Sequence, residues 1–429
     1  MKPTILILVL LLSLSCKKER AAVQLNAPKS AAYTKDTLTL TKAHYHDKVL
    51  GALVGSAIGD AMGASTEMWH RKDIQLKYGY ITGLTPAERV QSPEGTWENN
   101  LLAGATTDDT RWKYLMVDYL KKVQGAPNAA AFSNYITEYY QFLAHDLQDP
   151  DIATNTDLLD EKMEKLDWIK EWARVSMAYD QDPNQYLAAL NRFYGGEMSC
   201  AGQLYTPMFG LIAKNTEEAY ALGYEHALFD IGYAKDISAL VAAMVQMALR
   251  TQDMHAILNV VPFTDTEGYQ DSRLVGRIPY AIWTTALQQV RLAEEGHLQG
   301  TLALDPPHPP KAPKHYPGTT MDWAQQEQLY RFLENEKRAI PFHSAEIWQI
   351  MVTGMAHGKG DFLKTLQFIV NYGRDNDTVA AVAGMILGAQ AGYAQLPKEL
   401  REDVVRVNKE NLGIDLEAMA GQMTALAYP

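Results

Sequence analysis

Cysteine is nearly absent from this chain, and its scarcity excludes two kinds of structural centre. The 429 residues contain two cysteines, Cys16 and Cys200. Cys16 lies in an N-terminal leader, so no disulfide can form within the mature domain, and a zinc centre built on several thiolates is excluded. Nothing in the sequence places a base beside Cys200. We therefore interpret it as a small buried residue rather than as a nucleophile.

The chain also lacks an excess of positive charge. It has 39 Lys and Arg against 51 Asp and Glu, which gives a formal net charge of −12. Non-specific binding of nucleic acid depends on basic side chains that neutralise phosphates, so this balance argues against a nucleic-acid partner. No segment rich in Lys and Arg indicates an anionic membrane surface as a partner.

A hydrophobic run long enough to span a bilayer is missing as well. The N-terminus reads MKPTILILVLLLSLSC, with an apolar stretch of about eleven residues, which is typical of a secretory signal. Small residues before Cys16 resemble a bacterial lipoprotein signal over residues 1–16, and an ordinary cleaved signal remains the alternative. The polar residues 17–43 then form a tether. We expect an exported lipoprotein with a lipid anchor in the membrane, periplasmic or at the cell surface.

Alternating strand patterns are scarce, whereas helical periodicity is frequent. Segments such as residues 109–123, 236–252 and 345–358 carry apolar residues at i, i+3, i+4 and i+7. No internal repeat and no domain boundary appear after about residue 44. The sequence predicts one all-α domain over residues 44–429, expected as a monomer. A proline-rich loop at 302–318 interrupts it and carries His308 and His315 as solvent-facing residues.

The sequence contains two clusters in which acidic residues lie beside threonines. Asp375, Asp377 and Thr378 precede a run of small apolar residues, and the segment TTDDT at residues 106–110 opens an amphipathic helix. Helix capping explains one acid in each cluster. Two carboxylates close in sequence also form an oxygen site for a hard divalent cation, and adjacent acids such as those of TTDDT repel each other without a cation. Oxygen-only ligands favour Mg²⁺ or Mn²⁺ over zinc.

A third pattern lies at residues 48–69, where a glycine recurs every fourth residue from Gly51 to Gly63. Each glycine costs about 1 kcal/mol in a helix interior, so close approach of another backbone is expected along this face. Asp60 within the helix and Glu67 after it are not explained by packing.

Taken in their order along the chain, the glycine pattern, the TTDDT segment and the cluster at residues 375–378 together resemble the ADP-ribosylglycohydrolase family over residues 46 to 395. The resemblance implies a compact, orthogonal multi-helix fold with two Mg²⁺ or Mn²⁺ ions at the bottom of a cleft. It also implies hydrolysis of a glycosidic bond at the ribose C1 of an ADP-ribosylated small molecule or protein side chain. By the same resemblance the metal ligands are Thr107, Asp108, Asp109, Asp375, Asp377 and Thr378.

The resemblance further assigns catalytic carboxylates and a substrate loop. Glu67 matches the acidic residue after the glycine helix, and Asp151 lies in DIATNT, which is similar to a family loop although Ala153 replaces a glycine. The segment GGEMSCAGQLYTPMFGL stands where relatives hold the diphosphate, without their Met-Arg portion. In it the expected substrate contacts are Gly195, Gly196, Ser199, Gly202 and Tyr205.

Two other functions stay open. One is a relative that binds a nucleotide-like ligand, or metal, without hydrolysis. The other is a hydrolase of a different glycoside, which the rewritten substrate loop favours. The complete set of matched ligands favours hydrolysis, because a chain freed from metal chemistry would tolerate substitutions there.

Overall fold

Helices make up nearly all the regular structure in a computed structural model that describes residues 39–88, 100–296 and 311–428. The helices are α1 (Lys42–Gly63), α2 (Arg71–Tyr78), α3 (Asp108–Lys122), α4 (Ala129–Asp146), α5 (Pro150–Ala153), α6 (Thr156–Tyr179), α7 (Pro183–Phe193), α8 (Pro207–Ile212), α9 (Thr216–His226), α10 (Ala234–Arg250), α11 (Met254–Leu258), α12 (Val260–Phe263), α13 (Ile278–Glu294), α14 (Thr320–Glu336), α15 (Ser344–Gly358), α16 (Phe362–Tyr372), α17 (Asn376–Ala391), α18 (Lys398–Asn411) and α19 (Leu416–Ala427). Short 3₁₀ turns in the part of the chain that the structure describes are Ala201–Leu204, Tyr269–Asp271 and Tyr393–Gln395. The all-α prediction is confirmed.

Helices α1 and α17 form the centre of the fold and run antiparallel with their backbones in contact. A Cβ atom at Gly59 would lie 2.0 Å from the Ala380 carbonyl oxygen, and one at Gly55 would lie 2.4 Å from that of Gly384. The glycine stripe is therefore a packing surface, as expected from its spacing. At one end of the pair, the Lys48 ammonium donates hydrogen bonds to the carbonyls of Ala389 (2.9 Å) and Gln390 (2.7 Å), which end α17.

The other helices surround this pair. Helix α10 is buried on almost every side and packs against α8, α9 and α17, while α15 packs against α13, α16 and α17. A helix that is apolar all round requires such complete enclosure. Helix α6 packs against α4 and α7, and α3 joins α6 to the centre through the rings of Trp112, Trp168 and Trp172.

Among the described residues, four two-residue strands form two antiparallel pairs. Strand β1 (Trp69–His70) pairs with β4 (Gly373–Arg374), and β2 (Ala87–Glu88) pairs with β3 (Asn100–Leu101). The β1–β4 pair matters for the site, because it joins the end of the α1 segment to the start of α17.

The domain begins slightly earlier than expected. Thr41 caps α1, the Lys42 ammonium donates to the Tyr428 carbonyl (2.8 Å), and the Tyr428 hydroxyl donates to the Leu40 carbonyl. Residues 40–43 thus belong to the domain and not to the tether. The signal and the tether up to residue 38 lie outside the described residues.

Of the proline-rich loop, residues 302–310 also lie outside the described residues. Residues 311–318 are not helical, as expected, and His315 is exposed. None of the described helices is both long and apolar enough to cross a membrane.

Candidate metal centre

Asp60 is the residue that fixes the start of α3. Its carboxylate accepts hydrogen bonds from the backbone N–H groups of Thr107 (2.9 Å) and Thr110 (3.0 Å) and from the Thr110 hydroxyl (2.6 Å). The acid that packing could not explain is therefore a cap supplied by a neighbouring helix. Burial, and then the negative charge of Asp109, raise the pKa of Asp60 to about 7.

Three buried carboxylates meet beside this point. Glu67, Asp375 and Asp377 each place a carboxylate oxygen within 4.8 Å of the others. Asp377 reaches this position because Gly63 of α1 lies against its backbone, where a Cβ atom would be 2.3 Å from the Asp377 Cα. Close helix packing thus brings acids 310 residues apart in the chain into one cluster.

The two threonine-acid motifs also bond to each other. The Thr107 hydroxyl donates to the Asp377 carboxylate (3.3 Å), and the Thr378 hydroxyl donates to the Asp109 carboxylate (2.9 Å). Lys113, one turn after Asp109, forms a buried ion pair with it (3.4 Å), and both side chains are about 1% exposed. Asp108 is partly exposed at the first position of α3. Five of the six expected ligands are buried together.

The backbone on both sides of the cluster adopts a conformation that is rare for residues with side chains. Met68, after Glu67, has φ = 63°, and Arg374, before Asp375, has φ = 64°. The Met68 N–H donates to the Arg374 carbonyl (2.6 Å). Positive φ at a non-glycine residue costs about 1–3 kcal/mol and persists where the surrounding structure fixes it. Here the bond between Met68 and Arg374 holds the adjacent acids Glu67 and Asp375 close to each other.

Asn376, between the two acids of α17, adds a further tie. Its amide donates to the Thr66 hydroxyl (2.8 Å) and to the Val370 carbonyl (2.9 Å). Arg374 is held in turn by Glu346, to which its guanidinium donates, and by the Arg338 carbonyl (2.9 Å). The Arg374 guanidinium is thus committed to an ion pair within the fold.

The expected substrate loop does lie beside the cluster. The Cys200 thiol is 3.6 Å from the Asp375 carboxylate, and the turn Ala201–Leu204 packs against α3 and α17. Burial, together with Asp375 and Asp109, raises the pKa of the Cys200 thiol well above its usual value. This agrees with the interpretation of Cys200 as a buried residue rather than a nucleophile.

Most of the loop residues expected to contact substrate have structural partners instead. Gly195 and Gly196 form an exposed turn after α7, with φ of 62° and 80°. Ser199 is buried and bridges to His343 through its backbone. The Gly202 N–H donates to the Asp230 carboxylate (2.8 Å), so this N–H is already used within the protein.

Tyr205 is the clearest correction. It is fully buried, its hydroxyl donates to the His226 carbonyl (2.9 Å), and its ring packs against Trp112, Phe132 and Phe229. An aromatic ring gains more by packing in a core than by facing a cleft. Tyr205 therefore supports the loop from behind and does not face a ligand.

Asp151 is not part of the cluster. It lies exposed at the start of the short helix α5, where its backbone N–H donates to the Asp149 carboxylate (2.9 Å). Within the described residues no hydrogen bond or ion pair joins Asp151 to Glu67 or to the acids of α17. Its catalytic role stays a prediction.

Sequence reasoning missed the residues that align the cluster. Asn376 and Asp230 act through partners distant in sequence, so no local periodicity marks them. Lys113 pairs with Asp109 at the i, i+4 spacing within α3. One chemical feature of the sequence does indicate such contacts. An acid within an apolar helix, such as Asp60, requires a buried partner, although the sequence does not say which residue that partner is.

Comparison with known proteins identifies the family. The ADP-ribosylglycohydrolase family profile matches residues 41–428. The chain belongs to the ADP-ribosylglycohydrolase family. It is 34% identical over 83 residues to YegU, an uncharacterised protein of Escherichia coli (strain K12), across 18% of this chain and 22% of that protein. It is also similar to a solved ADP-ribosylglycohydrolase-related protein complex (TM-score 0.49, 18% identity), across 90% of this chain and 99% of that one.

Membership in the ADP-ribosylglycohydrolase family supports glycosidic-bond hydrolysis as the general activity. Metal dependence, which is general in the family, can be tested against the residues present. The cluster offers only carboxylate and hydroxyl oxygens, the donors that Mg²⁺ and Mn²⁺ prefer. Buried like charges at this spacing are costly unless a cation is shared among them. The donor set fits a hard divalent cation.

Proposed function

We propose that this chain is a hydrolase that depends on divalent cations and cleaves the glycosidic bond at the ribose C1 of an ADP-ribosyl conjugate. The observation that carries the proposal is the buried meeting of Glu67, Asp375 and Asp377. Three buried carboxylates at one point repel one another, and a divalent cation shared among them offsets that repulsion.

Thr107, Asp108, Asp109, Asp375, Asp377 and Thr378 would hold two Mg²⁺ or Mn²⁺ ions. When bound, such ions orient the ribose hydroxyls and lower the pKa of a water molecule. The chain's own residues prepare this arrangement. Asp60 and Thr107 fix the first turn of α3, while the Thr107–Asp377 and Thr378–Asp109 bonds align the two motifs.

Glu67 is the best placed general base in this proposal. It is 4% exposed and lies beside the acids of α17, so its carboxylate would accept the proton of an attacking water or stabilise positive charge on the ribose ring. Asp151 remains the alternative catalytic carboxylate. It is exposed on α5 and is not among the three acids that meet in the cluster.

A different glycoside is the second candidate, and one specific observation favours it. The loop at residues 195–205 offers no basic side chain, and the Gly202 N–H is used by Asp230. A diphosphate would therefore have to be held by other parts of the chain. A non-catalytic relative remains the third candidate, since metal binding alone does not imply turnover.

One experiment separates these functions. Arginine-, serine- and acetyl-linked ADP-ribose and simple nucleosides are incubated with the protein in Mg²⁺, Mn²⁺ or EDTA, while calorimetry measures Mn²⁺ binding. We expect turnover of an ADP-ribosyl substrate that EDTA abolishes, and loss of both turnover and Mn²⁺ binding in Asp377→Asn. The exposed acid Asp271→Asn is the control. Full activity of the metal-stripped wild type would refute the proposal, and Mn²⁺ binding without any turnover would favour the non-catalytic relative.

Localisation and partners are proposed from the sequence. We propose that the mature chain is a lipid-anchored, monomeric lipoprotein acting on ADP-ribosylated molecules outside the cytoplasm. Cys16→Ala should then release the protein from the membrane fraction with unchanged activity. Continued membrane attachment of this variant would exclude lipidation at Cys16.

A further inference from the structure

A large cavity of about 1210 Å³ runs along α3, away from the acidic cluster. Its walls are α3, α4, α6 and residues 411–414, and at one end it is lined by Thr107, whose hydroxyl bonds to Asp377. Its volume exceeds the range of about 300–1,000 Å³ usual for small-molecule sites. We call this cavity the α3 groove, and its Thr107 end is the end that adjoins the acidic cluster.

The length of the α3 groove suits a polypeptide. Lining residues extend from Thr107 to Lys122, fifteen residues of helix, which corresponds to about 22 Å. An extended peptide rises about 3.3 Å per residue, so roughly six or seven residues would cover this distance. A single sugar or amino acid would leave most of the groove empty.

The charge of the α3 groove favours a cationic occupant. Six carboxylates line it against four basic side chains. Two of the bases are already paired within the wall, Lys122 with Asp118 (2.7 Å) and Lys165 with Glu161, and Lys162 pairs with Asp146 outside it. Among the carboxylates, Glu138 and Asp160 are exposed on facing helices.

Aromatic rings on the same wall add to this preference. Tyr114 is 45% exposed and Phe142 is 60% exposed, although both are large rings. Cations of the chain already lie over rings here, with the Lys122 ammonium 5.6 Å from the Tyr135 ring and Arg111 5.3 Å from the Trp168 ring. Such contacts attract cations, because the face of an aromatic ring carries partial negative charge.

We propose that the α3 groove binds a basic polypeptide segment, so that the conjugate cleaved at the cluster is a modified protein whose flanking residues carry Lys or Arg. The inference rests on the proposed function only for the link to catalysis. The binding of a basic peptide is argued from the length, charge and aromatic lining of the α3 groove alone. A phosphate-bearing occupant is disfavoured because the bases of the wall are mostly paired with acids.

Peptide binding is measured first, without any turnover. Fluorescence anisotropy compares a labelled heptapeptide containing four lysines with its counterpart containing four glutamates, at low salt and in 0.5 M NaCl. We expect the lysine peptide to bind at least tenfold more tightly at low salt, with the difference reduced by salt because exposed charges are screened. Equal binding of the two peptides, or tighter binding of the glutamate peptide, would overturn the proposal.

A matched pair of variants locates the binding site. Glu138→Gln/Asp160→Asn should weaken binding of the lysine peptide by roughly five-fold to tenfold, since two exposed charge pairs with the peptide are lost and each contributes only modestly. Asp73→Asn/Asp271→Asn removes the same charge from exposed positions outside the groove and should leave binding unchanged. Unchanged melting temperatures verify that both variants are folded. An equal loss in both variants would assign binding to the overall negative charge and contradict the groove.

The link to catalysis is measured separately with two ADP-ribosylated peptides that share the modified residue and differ in Lys or Glu flanks. A higher kcat/KM for the Lys-flanked peptide, lost in Glu138→Gln/Asp160→Asn, supports the inference. Turnover of both peptides at equal kcat/KM leaves the proposed function intact and refutes the link between the α3 groove and catalysis. Tight binding of the lysine peptide without turnover of either conjugate refutes the proposed function and leaves the groove as a peptide site.

Discussion

Gly63 lies against the backbone of Asp377, where a Cβ atom would stand only 2.3 Å from the Asp377 Cα. This contact joins the end of the glycine stripe on α1 to an acid of the candidate metal centre. The same face of α1 meets Ala380 through Gly59. The packing of α1 on α17 therefore sets the position of the acids, so a change in the stripe should disturb both stability and metal binding.

Gly59→Ala should destabilise the protein although alanine favours helices. The new Cβ atom would lie 2.0 Å from the Ala380 carbonyl oxygen, and backbone cannot move as a side chain does, so we expect a loss of about 1–3 kcal/mol or more. Urea denaturation measures the change. Gly421→Ala on α19, where no atom lies within 4 Å, should be neutral or stabilising by up to about 1 kcal/mol. Similar effects at both positions would contradict the packing argument.

Lys113→Met should destabilise the protein by about 3–5 kcal/mol in EDTA, because it leaves the buried Asp109 carboxylate without its cation. If the cluster binds Mn²⁺, saturating Mn²⁺ should recover part of this loss. Denaturation in EDTA and in Mn²⁺ checks both statements. Lys398→Met breaks an exposed ion pair with Glu402 and should cost under about 1 kcal/mol in either condition. A loss for Lys113→Met as small as this control would disprove the role of Lys113.

Two substitutions at Arg374 separate backbone conformation from charge. Both Arg374→Ala and Arg374→Gly remove the partner of the buried Glu346. Only glycine accepts φ = 64° without strain, so Arg374→Ala should be less stable than Arg374→Gly by about 1 kcal/mol. Thermal denaturation of the two variants, measured side by side, checks this order. The reverse order would show that the positive φ is not retained.

Asp230 should give the protein a dependence of stability on pH. Burial raises the pKa of Asp230 to about 6, although Ser238 and the Gly202 N–H bond to its carboxylate. Because the folded pKa lies above the unfolded value, the contribution of Asp230 is fully present below about pH 4. It is lost as pH rises to about 6, by roughly 3 kcal/mol.

Asp230→Asn isolates this effect, since all other acids titrate in both proteins. The free energy of unfolding of the wild type minus that of Asp230→Asn should fall by roughly 3 kcal/mol between pH 4 and pH 7. Urea denaturation at several pH values measures it. A difference that does not change with pH would show that Asp230 titrates normally.

The local sequence pattern was sufficient to predict most of the long helices. The predicted helix at residues 109–123 is α3, Asp108–Lys122, and the one at 345–358 is α15, Ser344–Gly358. Apolar periodicity marks these helices because each buries one continuous face. The two acid-threonine motifs were also correctly placed at helix starts, where carboxylates and hydroxyls complement unpaired N–H groups.

The local sequence pattern did not predict which way the groups of the site point or which residues they contact. Tyr205 was expected to face a ligand and instead packs in the aromatic core, while Gly202 turns its N–H to Asp230. Residues 40–43 were assigned to the tether, yet Leu40 and Lys42 bond to Tyr428. Each error concerns a contact between distant segments, and a local motif does not specify which face of it meets its partner.

The sequence by itself determined the helices, the glycine face of α1 and the identities of the acids, because these depend on spacing within one segment. Only the tertiary structure decided that Asp60 caps α3, that Thr107 and Asp377 share a hydrogen bond, and that Glu67 joins Asp375 and Asp377. Those relationships join residues 47 to 310 positions apart, as from Asp60 to Thr107 and from Glu67 to Asp377. They exist because α1 and α17 pack backbone to backbone, which only the folded chain can bring about.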